Sequence, residues 1–591
     1  MPATTPRGTR RGSPQLRLRI GFVVIAMALS VFGARLVQLQ GIDPNSYAEM
    51  AAAEGIEEVE LPATRGEIVD RDGEPLASSV DGMMLVADPK LTDEHAADLA
   101  AFLYKLLDVD YVSTLAKLRA HETDEGVEAR FEYVARRVPA TIATDVVEEA
   151  ERRGFEGLDT WRDPLRDYPA GDVAANLVGF VGTDEPLAGL ERTFDKELAG
   201  IDGSARYEVG SGNRLPLGES TTTDPVDGRD LETTLDLKLQ WYAQRVVRQT
   251  VEDARADSGF AVVMDTRTGE LLAVADDPTY DANKPTDAPK ADLGSRALQN
   301  VYEPGSVQKV LTASSLIDLG LVTPRTKIVV PSQLDRDGRV IHDWFGHGTL
   351  HMTLTGAIAQ SSNIATVLAA DKFKRGQLYS YLRHFGLGRR TDIGVRGETK
   401  GLLPPLAEWT SQLEDRIDFG QSLSVNGVQM TAAINTIANG GVRVSPSLVK
   451  GSATTDDGQQ VGTDHTTRKR VVGEQAARQT AIMMERVVDP DVGVAPAAAV
   501  PGYRVAGKTG TAQAVGAECG CYDGTFTVSF AGFAPADDPR FTIYVVVQNP
   551  RNGGGGGSVA GPAFSQIMSY ALRRYQVPPT GTRPSRLPVA W

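Results

Sequence analysis

Two cysteines in 591 residues cannot staple a chain of this length, so no disulfide framework holds it together. Positive charge is also in short supply. Lys and Arg number 61 against 77 Asp and Glu, giving a formal net charge of −16. The first nineteen residues carry five arginines (Arg7, Arg10, Arg11, Arg17, Arg19) and no acid, so the remainder is more acidic still. Such a body lacks the basic surface that nucleic-acid binding needs, and its acids read as a solvated exterior. A phosphate loop is missing too. The glycine run 553–557 is not followed by Gly-Lys-Ser/Thr and reads as a flexible connection into the last helix. His342, His347 and His351 lie close together, but Gly348 and Thr349 weaken the helix that would align the last two. They read as a polar loop; no metal and no cofactor is expected.

Long apolar runs are nearly absent. Residues 20–39 form the only one of membrane length, interrupted near its far end by Arg35 and Gln38, where long side chains can snorkel. The arginines precede it, which places the N-terminus in the cytoplasm and the rest outside. The rival reading is a cleaved signal peptide, but Phe32-Gly33-Ala34 puts a bulky residue where cleavage needs a small one.

Three short strings follow in order: Ser306-x-x-Lys309, Ser361-x-Asn363 and Lys508-Thr509-Gly510. Each alone is cheap, since chance gives about one Ser-x-x-Lys at this composition. A second copy exists at Ser447 and Lys450, and Ser-x-Asn recurs at Ser211 and Ser424. Context separates them. Ser306 follows Glu303-Pro304-Gly305 and precedes a helix-like run ended by Gly320, so Lys309 shares its face. Ser447 lies in a β-branched run containing Pro446, where residues three apart point to opposite faces.

The 591 residues suffice for several domains. A helix is expected at 48–53. Residues 65–77 read as strand, turn and strand, with Asp72-Gly73 as the turn. Several amphipathic helices are expected in 93–155, and a further helical segment led by Gly189-Leu190-Glu191. Residues 210–230, rich in Gly, Thr, Asp and Pro, mark a boundary. Beyond it Asp236 caps a long helix running to about Ala254. Residues 259–265 and 270–275 form a hairpin about Thr266-Arg267-Thr268-Gly269. Residues 508–513, 525–533 and 541–548 read as three antiparallel strands, followed by a helix over 560–574. Two early and three late strands around a helical middle predict one sheet with helices packed on it, an α/β (α+β) fold.

In these residues the chain resembles the class B penicillin-binding proteins, and most the division-specific FtsI type. The likeness spans nearly the whole length. It includes Arg35-Leu36-Val37-Gln38-Leu39-Gln40, Arg65-Gly66 with Asp70-Arg71 and Gly73, Glu303-Pro304-Gly305-Ser306, Ser361-Ser362-Asn363, Phe419-Gly420-Gln421 and Lys508-Thr509-Gly510-Thr511. It implies a cytoplasmic tail (1–19), a transmembrane anchor (20–39), an elongated mixed pedestal of the dimerisation type (45–230), a transpeptidase domain (231–576) and a C-terminal tail (577–591). No glycosyltransferase domain fits between anchor and pedestal. Gln308 departs from the family, many of whose members carry a larger apolar residue there. Cys519-Gly520-Cys521 also departs; a ring between cysteines two apart is strained, leaving a loop with two thiols or an unusual small ring.

The resemblance implies a D,D-transpeptidase that crosslinks stem peptides ending in D-Ala-D-Ala, is stalled by β-lactams, and works beside an FtsW-type glycosyltransferase and other divisome proteins. Lys309, its pKa lowered by burial and by the second cation Lys508, takes the proton of Ser306. The backbone N–H groups of Ser306 and Thr511 hold the oxyanion. Ser361 relays the proton, Asn363 binds the substrate amide, and Lys508 and Thr509 face the terminal carboxylate. Gly510 leaves the strand bare for a peptide to lie beside it. An elongation-type transpeptidase, a D,D-carboxypeptidase and a β-lactam sensor are the alternatives.

Overall fold

The computed structural model describes residues 14–37, 56–122, 128–182, 185–210, 213–214, 220–391, 393–516 and 521–591. The helix expected at 48–53 and the end of the expected anchor, Gln38 and Leu39, lie outside them, as does Cys519. Cys521 is disulfide-bonded, so it is not a free thiol.

Two compact units emerge, Met1–Ala63 with Ile201–Val226, and Thr64–Gly200 with Asp227–Trp591. In the first, one helix spans Pro14–Val37. None of its stretch Leu18–Arg35 is buried, and its length and composition suit one bilayer crossing. The same unit contains an antiparallel sheet in which Gly203–Gly210 lies between Ile56–Leu61 and Ser220–Thr223.

In the second unit the expected hairpin forms, with strands Ile68–Val69 and Pro75–Val80. Asp70 Oδ1 accepts from Asp72 N at 2.8 Å and Glu74 N at 2.9 Å to close its turn. Its other oxygen accepts from Leu237 N at 3.0 Å, tying the hairpin to the start of the long helix. Arg65 has a structural task. It grips the fully buried Glu191 carboxylate at 2.7 Å, which Arg166 also grips at 2.7 Å. A buried carboxylate needs such partners. Gly66 is glycine because a Cβ there would lie 2.1 Å from Arg229 O.

Helices appear at Ala96–Leu107, Tyr111–Leu118 and Ala140–Arg152, as the amphipathic runs predict. A strand, Glu132–Pro139, interrupts them, and it pairs with Gly82–Ala87. Its two buried valines, Val134 and Val138, are four apart, so helical and strand spacing coincide there. The segment led by Gly189 is only two short turns, Gly189–Thr193 and Asp195–Leu198.

The main sheet has five strands in the order Leu271–Asp277, Ser258–Asp265, Phe541–Gln548, Tyr522–Ala534, Ala506–Val515, all antiparallel. Every residue of the first two is buried, so both faces are covered. The covering helices include Leu237–Ala254, Gly556–Arg574 and Gly427–Ala438. Asp236 caps the first, accepting from Leu239 N at 3.0 Å. Tyr242 and Tyr570 stack at 4.2 Å between the first two.

Candidate active site

The edge strand Ala506–Val515 supplies one wall. Alternation sends Thr509, Thr511 and Gln513 into a cavity of about 680 Å³. Ser306, Ser361 and Asn363 also line it. Ser306 stands on a 3₁₀ turn, Gly305–Gln308, that feeds the helix Lys309–Asp318. The turn needs its glycines. Gly305 has φ +53°, and its N–H donates to Gly420 O at 2.9 Å. A Cβ at Gly420 would lie 2.0 Å from Gly305 O, which gives Phe419-Gly420-Gln421 its physical meaning. Gln308, the departure from the family, is fully buried and donates to Ile417 O at 2.5 Å.

Lys309 is fully buried, and its Nζ donates to Ser361 O and to Asn363 Oδ1, each at 2.7 Å. No hydrogen bond joins Lys309 Nζ to Ser306 Oγ among the described residues. Burial pushes the Lys309 amine down from 10.5 to about 7, against the pull of the Asp343 carboxylate upward. Lys508 has no part in that shift, contrary to expectation; the repulsion instead tells on Lys508, driven well below its ordinary value by burial first and by Lys309 next. A neutral amine has two N–H groups and one lone pair. The two acceptors on Lys309 match the two N–H groups and leave the lone pair for a proton.

Ser361 adopts φ +60°, a left-handed conformation rare for a residue with a side chain. There its carbonyl reaches Lys309 while its Oγ accepts from Lys508 Nζ at 2.8 Å. Lys508, expected to face the terminal carboxylate together with Thr509, is placed differently from Thr509. It is fully buried behind Ser361 and does not line the cavity. Alternation starts Lys508 and Thr509 on opposite faces, and the long Lys508 side chain then turns back so that its Nζ also donates to Thr509 O at 3.0 Å and Thr509 Oγ1 at 3.3 Å. Gly510 also has a different reason to be bare. A Cβ there would meet Ser529 Oγ at 2.3 Å and Pro304 O at 3.0 Å, so the glycine lets the Ser306 turn pack on the strand.

The residue that sequence reasoning missed is Asp343. Its side chain is fully buried. One oxygen accepts from Asn363 N at 2.6 Å and Ile364 N at 3.0 Å, the other from Ser362 Oγ at 2.7 Å. A carboxylate at a helix N-terminus satisfies free N–H groups and favours the dipole. It thus fixes the start of the helix Asn363–Ala370. A signal existed, because His342 and His347 bracket it in the loop set aside as polar. His347 Nε2 lies 3.1 Å from Asp343 Oδ2, and His342 O accepts from Asn363 Nδ2 at 2.9 Å. His351 instead stacks edge-on against Trp591. No cluster able to hold a metal occurs among the described residues.

The glycine run is not a loose connection. The last helix begins within it, at Gly556, four residues before the expected start. Gly555, Gly556 and Gly557 line the cavity, and a Cβ at Gly556 would lie 2.1 Å from Ser529 O. The decoy serine is elsewhere occupied: buried Ser447 donates to Val449 O at 2.9 Å, and Lys450 pairs with Glu232 at 3.0 Å.

Residues 259–569 match the family described as the penicillin binding protein transpeptidase domain, and residues 60–186 the penicillin-binding protein dimerisation domain. The chain is 35% identical to penicillin-binding protein PbpB of Mycolicibacterium smegmatis, over 97% of this chain and 92% of that one. It is 31% identical to peptidoglycan D,D-transpeptidase FtsI of Escherichia coli K12, over 94% and 91%. Among solved structures it is similar to penicillin binding protein 3 of Mycobacterium tuberculosis complexed with aztreonam. That match has a TM-score of 0.69 and 32% identity, covering 90% of this chain and all of that one.

Proposed function

The chain belongs to the penicillin-binding proteins that pair a transpeptidase domain with a dimerisation domain, and we propose that it crosslinks peptidoglycan stem peptides through an acyl-enzyme on Ser306. The observation that carries this reading is the convergence of all three motifs on one cavity. Ser306, Ser361, Asn363, Thr509 and Thr511 line it, while Lys309 and Lys508 are buried behind it and bound to Ser361.

Ser306 Oγ attacks the penultimate D-alanine carbonyl as its proton passes to the neutral Lys309 amine. Ser361, held between both lysines, returns a proton to the leaving D-alanine. Asn363 binds the substrate amide, and Thr509 and Thr511 present hydroxyls to the terminal carboxylate. The backbone N–H groups of Ser306 and Thr511 stabilise the oxyanion. The two segments run close, since a Cβ at Gly305 would lie 3.0 Å from Thr511 O. An amine of a neighbouring stem peptide then takes the acyl group. A β-lactam enters the first step and stalls at the second; the aztreonam complex of the mycobacterial relative supports this.

The FtsI-type likeness supports a septal role, with an FtsW-type glycosyltransferase supplying the glycan. The five arginines ahead of the apolar helix support a cytoplasmic N-terminus with the catalytic part outside. In the same reading a pedestal over 45–230 precedes a transpeptidase domain over 231–576 and a tail over 577–591. The test supplies the full-length protein in detergent with a D-Ala-D-Ala donor peptide and an amine acceptor. A crosslinked product in the mass spectrum is expected, whereas hydrolysis alone makes it a carboxypeptidase. A fluorescent fusion should collect at the septum; even labelling of the side wall supports the elongation type instead.

A further inference from the structure

A second cavity, of about 340 Å³, is unlike the rest of this acidic protein. Five cationic side chains line it: Arg383, Arg389, Arg390, Arg443 and Lys469. His384 and His465 join them, and no described lining residue is Asp or Glu. Asp392, in the same loop, lies outside the described residues; a full negative charge there still leaves the site strongly positive. Elsewhere the well-covered arginines Arg65, Arg166 and Arg504 each meet a carboxylate.

The wall is firmly built. Gln429 Nε2 holds Gly386 O at 3.1 Å and Arg389 O at 2.6 Å from inside. Buried Glu398 accepts from Thr391 N at 2.6 Å and Thr391 Oγ1 at 2.7 Å. Arg383 and Arg443 serve the fold, donating to the carbonyls of Leu387, Gly388 and Phe385 at the end of the Gln377–Phe385 helix. Arg389, Arg390 and Lys469 have no such task and form no ion pair among the described residues. Lys469 is moreover paired directly across a strand from Arg443, where like charges repel. The same field depresses His384, held down by burial and then by Lys469 and Arg389. The fold thus bears a concentration of like charge that it does not neutralise.

We propose that this cavity binds a ligand carrying at least two phosphate charges. Guanidinium groups match phosphate oxygens in pairs, and a single charge would leave most of the cationic field unanswered. The Ser445 hydroxyl at the same wall accepts from Thr467 N at 2.8 Å and keeps its own proton to donate. The phosphates are presented either by a soluble diphosphate or by a lipid surface. This site is separate from the Ser306 cavity, with which it shares no lining residue.

The test uses the full-length protein in neutral detergent, titrated with pyrophosphate by calorimetry at low salt, beside an Arg390→Ala/Lys469→Ala variant. Saturable binding that weakens tenfold or more in the variant and falls steeply with salt is expected for a soluble ligand. In a second arm the protein is reconstituted in phosphatidylcholine nanodiscs and mixed with phosphatidylglycerol or phosphatidylcholine vesicles. Variant-sensitive binding to the anionic vesicles alone assigns the phosphates to a lipid surface. Penicillin acylation should be equal in both proteins, which certifies the variant's fold. Absence of binding in both arms, or binding that the variant retains in full, overturns the proposal.

Discussion

Lys508 Nζ donates to Ser361 Oγ at 2.8 Å, and so the amine of the third motif acts on the hydroxyl of the second. The roles of neighbouring residues on one strand then separate. Thr509→Val should weaken the noncovalent capture of a β-lactam by about 10- to 150-fold, the worth of a hydrogen bond to a charged group. Lys508→Met should leave capture nearly intact and slow acylation, because Ser361 loses the donor that orients it. Stopped-flow acylation separates the two constants, and a Lys508 variant altered in binding alone would contradict this division.

Lys309 predicts a pH profile. Its amine is brought down from 10.5 to about 7, so the basic form fills in as pH rises through 7. Acylation should climb about tenfold per pH unit below that value and level off above it. Stability follows the same shift: between about 7 and 10.5 the unfolded chain binds the extra proton, so the penalty for burying Lys309 grows as pH falls through that window and is constant below it. A flat acylation profile from about pH 5.5 to 8.5 would remove Lys309 from the role of base.

Asp343 should behave as a positioning residue. Asp343→Asn turns one acceptor into a donor facing N–H or O–H groups, a loss of about 1.5–3 kcal/mol. Acylation should slow at least tenfold, with penicillin still attached to the same serine. Its dependence on pH should shift as well, because Asp343 also raises the Lys309 amine. An unaltered rate and profile would leave Asp343 with a stabilising role only.

Gly420 lies opposite the nucleophile's turn, and Gly420→Ala drives a methyl group to 2.0 Å from Gly305 O. The backbone there, at φ +91°, also resists a side chain. The variant should lose thermal stability and most of its acylation rate, whereas Gly451→Ala, with open space around it at φ +72°, should lose only a little stability. Equal behaviour of the two would mean that the Gly305–Gly420 contact does not shape the site.

Much of this architecture was legible beforehand. The five strands and the Asp236 cap follow from periodicity and turn chemistry, which are local. What escaped depends on distant pairs. The bareness of Gly510 and Gly556 is set by Ser529, and nothing near either glycine in sequence announces that neighbour. Asp343 lay hidden because its partners come twenty residues later, across a connection whose path only the folded chain fixes. The path of the Lys508 side chain to Ser361 likewise joins residues 147 apart, which motif order does not reveal.

The central claim is that Ser306 is the acylated nucleophile. Full-length protein exposed to benzylpenicillin should gain the mass of one penicilloyl group, and peptide mapping should place it on Ser306. Ser306→Ala should show no adduct, while Ser447→Ala should match the parent protein. An adduct on any other residue, or one that survives in Ser306→Ala, would contradict the account.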